Sequence, residues 1–150
     1  MKLVEQSTFD FNKELLFGEV GAWVGAPLAA HIALRFTTSS RILSIFAVLG
    51  AIIGSSIIWL SMRYYDQKKH DSNYSAAGLA KDIAYFTPVA GTIAFFVYNP
   101  TVYFISEYLL TNHHSVYASV ISSQAVAFTL LIILLNIYRY ILIRSVGKKL

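Results

Sequence analysis

LLFGEVGAWVGAPLAAHIALRFTTSSRILSIFAVLGAIIGSSIIWLSMR, residues 15–63, decides the fold. It holds two apolar runs, Leu15 to Leu34 and Ile42 to Met62, separated by a short polar turn around Thr37, Thr38, Ser39 and Ser40. Each run has about 20 residues, the length at which an α-helix crosses a hydrocarbon core of about 30 Å. So short a turn predicts a tight antiparallel hairpin. Pro27 inside the first run predicts a kink there, with neighbouring helices covering any freed carbonyl.

Outward from this hairpin the pattern repeats. Apolar runs over 83–106 and 116–142 follow a charged stretch, residues 63–82, whose alternating charges, Gly78 and Ser/Asn content predict a solvated connector. Helix is expected to begin early over Ala76 to Lys81. From Ile83 to Leu110 the third run is about 42 Å long if fully helical, and Pro88 and Pro100 each offer a place to divide it. Thr87 could cap a helix that has Pro88 in its first turn, or the helix could break at Asn99-Pro100. One kinked, tilted helix is the expectation.

The cations orient the chain. Lys2, Lys13, Arg63, Lys68, Lys69, Lys81, Arg139, Arg144, Lys148 and Lys149 all fall on one side of the four runs, leaving Arg35 and Arg41 for the other. Segments rich in Lys and Arg stay cytoplasmic during insertion. The expected fold is therefore an all-α, polytopic membrane protein. It forms a single integral domain over 1–150, with four transmembrane helices as two antiparallel hairpins. Both termini are cytoplasmic, in the cell membrane. Tyr64, Tyr65, Tyr138 and Tyr140 form an inner aromatic belt and Tyr103, Tyr108 and Tyr117 an outer one, at depths that agree with the charges.

Composition narrows the function classes. The chain is 56% hydrophobic and 13% charged, with a mean hydropathy of +0.56, outside the range of ordinary soluble domains. Four spans in 150 residues leave no room for a separate soluble catalytic domain. The net charge of +4 tracks helix ends, which suits lipid headgroups as partners and not nucleic acid. There is no Cys, which excludes disulfides, thiolate catalysis and cysteine metal sites. Glu19 interrupts the first run, whose length suits a span better than the core of a cleaved signal.

Packing signals are concentrated in the first hairpin. Gly21 with Gly25 and Gly50 with Gly54 are two GxxxG motifs, and Ser55 and Ser56 extend the second small face. Such faces let helix backbones approach closely. The hairpin is expected to pack on itself through them, the alternative being that one faces another subunit. In the fourth run Ser122, Ser123 and Gln124 lie below the outer face, and Gln124 is expected to bridge helices by a hydrogen bond.

Four ionisable residues lie in or near the apolar runs: Glu19, Arg63, Asp82 and Arg139. An acid stands where each odd helix begins, and an arginine among aromatics where each even helix ends, a scheme consistent with internal duplication of one hairpin. Asp82, Arg63 and Arg139 suit the helix dipoles or can reach the headgroups. Glu19 is more costly to bury; it is expected to face the bundle and pair with Arg63, a proton- or cation-coupling role being the alternative. On the outer side, His31, His113 and His114 are weak metal candidates near Arg35 and Glu107, since imidazole suits Zn and Cu. No spaced ligand set accompanies them, so neither metal nor cofactor is expected. Nucleophile elbows, phosphate loops and paired catalytic carboxylates are absent from the sequence, giving no support to an enzyme.

FGEVGAWVGA (Phe17 to Ala26), WLSMRYY (Trp59 to Tyr65) and NIYRYIL (Asn136 to Leu142) resemble the glycine-rich first helix and the Asn/Arg-aromatic helix ends of the GtrA-like family. That resemblance implies two hairpins and a part in moving lipid-linked sugars across a membrane. Two functions thus stand open from sequence. One is a non-catalytic accessory subunit of a larger membrane complex, acting through helix packing. The other is a small transporter or flippase-type protein, which four short spans would complete by forming a homo-oligomer.

Overall fold

The computed structural model describes the backbone of residues 2–70, 73 and 75–146, and the side chains of 12–69, 73, 75–80, 84, 91–138, 140 and 141. Every regular element in it is helical: α1 (Lys2–Ala33), α2 (Ser40–His70), α3 (Ala76–Ile93), a π-helical turn (Ala94–Tyr98), α4 (Asn99–Thr111) and α5 (Val116–Val146). Three segments, Asn12–Ala33, Ser40–Lys69 and Val116–Tyr138, are long and apolar enough to cross a membrane.

The helices outrun the apolar segments. RYYDQKKH, residues 63–70, continues α2, and helix resumes at Ala76, so the connector expected over 63–82 narrows to a few residues around Asn73. Lys and Gln are good helix formers, so loss of hydrophobicity did not end the helix. α2 spans 31 residues, about 46 Å, more than a hydrocarbon core requires.

α3, the π-turn and α4 form one rod from Ala76 to Thr111, about 54 Å long. Ile93, Tyr98 and Asn99 all keep right-handed helical angles, so the chain does not break at Asn99-Pro100. Pro100 has no N–H to give and its ring would press on the carbonyl one turn back. The chain accommodates it by widening: the Asn99 N–H bonds to the Ala94 carbonyl, five residues back.

The rods close a ring in which α1 touches α2, α2 touches α4, α4 touches α5 and α5 returns to α1. Short connections make all these neighbours antiparallel, the up-down-up-down bundle. Both ends of the described chain and the α2–α3 connection lie at one end of it, here the terminal end; the α1–α2 and α4–α5 turns lie at the hairpin end.

The interior is made of small residues. Ala22, Ala26 and Ala30 of α1 and Ala47 and Ala51 of α2 are buried with Val102 and Val120. α1 and α2 touch at their glycines: a methyl group built on Gly21 would overlap the Gly54 carbonyl, and one on Gly25 the Gly50 carbonyl. Large apolar side chains instead point outward, among them Val24, Leu28, Ile53, Ile57, Phe95 and Phe104. An apolar exterior this extensive is a liability in water and is at home in lipid.

The hairpin end carries a strained residue. Asn112 caps α4, and the His113 N–H bonds to Leu110 O and the His114 N–H to Leu109 O, both at 3.1 Å. This is the Schellman arrangement, whose αL position usually holds glycine. Here His113 occupies it with φ of 62°. A side chain in αL costs roughly 1–2 kcal/mol. His113→Gly is therefore expected to stabilise the protein by about 1 kcal/mol, seen as a higher melting temperature in detergent; a lower one would refute this reading of the turn.

Candidate functional site

The small-residue core does not fill the whole bundle. Towards the terminal end the rods line a cavity of about 510 Å³. α1 contributes Gly18 and Glu19 to its wall, α2 Ile52, Ser55 and Trp59, the π-turn Phe95 and Tyr98, and α5 Leu131 and Leu135. Most of these groups are apolar. Within this setting Glu19 is 5% exposed and Tyr98 6%.

Those two side chains meet. The Tyr98 hydroxyl donates to the Glu19 carboxylate, lying 3.1 and 3.0 Å from its two oxygens. The π-turn helps to aim the tyrosine. One residue added to a helical turn rotates the register by about 100°. Tyr98 is turned inward, while Phe95 and Phe96 are 66% and 70% exposed. π-turns inside α-helices are frequent at functional sites.

The expected partner of Glu19 was Arg63; the structure corrects this. Arg63 Nη1 lies 3.0 Å from both carboxylate oxygens of Glu14, a residue only 3% exposed. The reason is the register of the hairpin. Gly21 faces Gly54 and Gly25 faces Gly50, so facing residue numbers total about 75 and Arg63 falls opposite residue 12. Glu14 is within reach there, whereas Glu19 lies level with Ser56, two turns deeper.

Two further links join the terminal end. Lys13 Nζ lies 2.6 Å from Asp66 Oδ2, again from α1 to α2. Asn136 of α5 donates to Asn12 Oδ1 at 3.1 Å and also to the Ile132 carbonyl at 2.9 Å. Glu14, Asp66, Asn12 and Tyr98 carry no signal of their own in the sequence, and Asn136 is marked there only as the start of an Asn/Arg-aromatic helix end. Combining the two GxxxG motifs into one antiparallel register would have paired Arg63 with Glu14. No local signal marks Tyr98, because its inward aim depends on the π-turn.

The remaining candidates are dispersed. Gly21, Gly25, Gly50 and Gly54 form the α1–α2 contact, and Ser55 lies on the cavity wall, its hydroxyl donating to Ile52 O at 3.1 Å. Gln124, fully buried, donates from Nε2 to the Ala22 carbonyl at 3.1 Å, tying α5 to α1. The side chains of Asp82 and Arg139 lie outside the described residues. His31, His113 and His114 are exposed. Among the described residues no three His, Cys, Asp or Glu side chains converge as metal ligands. Glu107 meets Arg41 instead, at 3.5 Å, a surface pair of small energetic value.

Fold and site together define an all-helical protein with three helices suited to crossing a membrane and a carboxylate-bearing apolar cavity between its rods. No protein family, curated protein or solved structure matches the chain.

Proposed function

We propose that this chain is a four-span protein of the cell membrane, with both termini cytoplasmic, that holds a small amphiphile in the cavity around Glu19. It acts as a carrier-type protein, the class that the GtrA-like resemblance implies. The cavity carries this reading. A mostly apolar hollow with a few convergent polar groups is the usual form of a small-molecule site, and a buried ionisable group among membrane helices marks function by default.

The fourth crossing is supported by the α3–π–α4 rod. It is long enough to span, and α4 fits between α2 and α5 with Val102 and Ser106 buried. The orientation is supported by the sequence, in which ten Lys and Arg fall on one side of the four apolar runs and two on the other. An accessory role in a larger complex asks only for exposed apolar faces, such as Ile53 and Ile57 on α2. Lipid covers these as well as a partner helix would, so the cavity favours the carrier.

Filling the cavity tests the proposal. Ile52 lines it, while Ile53, 61% exposed, does not. A neutral apolar fluorophore, N-phenyl-1-naphthylamine, is expected to bind the purified protein saturably. Ile52→Trp should weaken that binding by roughly tenfold or more without lowering the melting temperature, and Ile53→Trp should leave it unchanged. Non-saturable uptake, or equal binding by both variants, would count against the cavity as a ligand site.

A further inference from the structure

The cavity carries an acid and no base. Glu19 is the one ionisable acid among its described lining residues, and none of them is Lys, Arg or His. The nearby cations of α1 and α2 are committed elsewhere, Arg63 to Glu14 and Lys13 to Asp66. A carboxylate held away from water among apolar groups is costly unless it takes up a proton or a positive charge accompanies it. An anionic head group would add repulsion to that cost.

We infer that the cavity around Glu19 and Tyr98 is a site for a lipophilic organic cation, its charge met by Glu19 and its apolar groups by the cavity wall. This rests on the carrier reading and narrows it to a ligand class. Three features favour a bulky cation with diffuse charge over a metal ion or a primary amine. Glu19 already accepts the Tyr98 hydroxyl across both its oxygens, which leaves less capacity for a strongly hydrated donor. Hard metal ions require several oxygen ligands, whereas the wall offers mainly Ile, Leu, Phe and Trp carbon. Trp59 and Tyr98 provide aromatic rings at the hollow, and such faces attract cations that have already shed water.

Tetraphenylphosphonium and tetraphenylborate, nearly identical in shape and opposite in charge, test this on the full chain in mild detergent. The phosphonium is expected to bind saturably and the borate at least about 100-fold more weakly. Glu19→Gln should cost the phosphonium at least about tenfold in affinity while N-phenyl-1-naphthylamine still binds, showing an intact cavity. Equal affinity for the two ions in the wild-type protein would overturn the inference without recourse to any variant. So would a Glu19→Gln protein that keeps full phosphonium affinity. If the neutral probe binds but the ions are not distinguished, the ligand class alone fails. If neither the neutral probe nor the ions bind, the carrier reading fails with it.

Discussion

Gly54→Leu is expected to prevent the first hairpin from closing. Even a methyl group at this position would overlap the Gly21 carbonyl oxygen and crowd the Cα of Gly25. Both obstacles are backbone, so no side chain can swing aside to make room. The same holds for Gly21 against Gly54, and for Gly25 and Gly50 against each other. Overpacking a well-filled interior typically costs 1–3 kcal/mol, and a clash with rigid backbone belongs beyond that range, above about 3 kcal/mol. Separating the helices also forfeits the close packing by which membrane helices associate. Gly18 supplies the control, because a methyl group there meets Trp59 Cβ at 3.4 Å, an ordinary contact. Gly18→Ala should melt within a few degrees of wild type in detergent, while Gly54→Leu should give no folded, monodisperse species. A Gly54→Leu protein with the wild-type melting temperature would refute the described interface.

Arg63→Leu carries the second large effect. Glu14 is almost fully buried and takes both its oxygens to the Arg63 guanidinium at 3.0 Å. Removing the arginine strands a carboxylate in a poorly hydrated site, a change that costs about 3–5 kcal/mol where one partner of a buried pair is lost. The Arg63 side chain is 27% exposed, which lets water screen part of the pair and places the expectation at the lower end, about 3 kcal/mol. Replacing both residues, Arg63→Leu with Glu14→Leu, removes the stranded charge and should recover most of the loss. Reversible unfolding in mixed detergent and dodecyl sulfate measures all three proteins. Equal losses for the single and double variants would show that the arginine acts through something other than Glu14.

Much of this architecture was readable in the residues. The apolar runs of α1, α2 and α5 are long and their punctuation is strong, and the spacing of Gly21, Gly25, Gly50 and Gly54 describes two complementary faces. The helix ends were harder to place, because hydropathy reports where lipid ends and not where a helix ends. RYYDQKKH is polar yet helical. The third run was ambiguous because Pro88 and Pro100 each permit a break, and a π-turn absorbs a proline without ending the rod. The polar contacts were the least legible. Glu19 stood out as a costly acid, but its partner Tyr98 lies 79 residues away and is aimed by an irregular turn. Arg63 was misassigned because depth along each helix was judged separately, when the glycine register relates the two directly.

The standing of the α3–π–α4 rod as a crossing decides whether the ring of helices encloses its cavity within the membrane. The chain has no cysteine, so single-cysteine variants report on one position each. Ser39→Cys lies in the α1–α2 turn, Asn73→Cys in the α2–α3 connection and His114→Cys in the α4–α5 turn. On intact cells, a membrane-impermeant maleimide is expected to label the Ser39→Cys and His114→Cys proteins and to reach Asn73→Cys only after lysis. If His114→Cys is protected together with Asn73→Cys while Ser39→Cys is labelled, the rod does not cross and the four-span account is wrong.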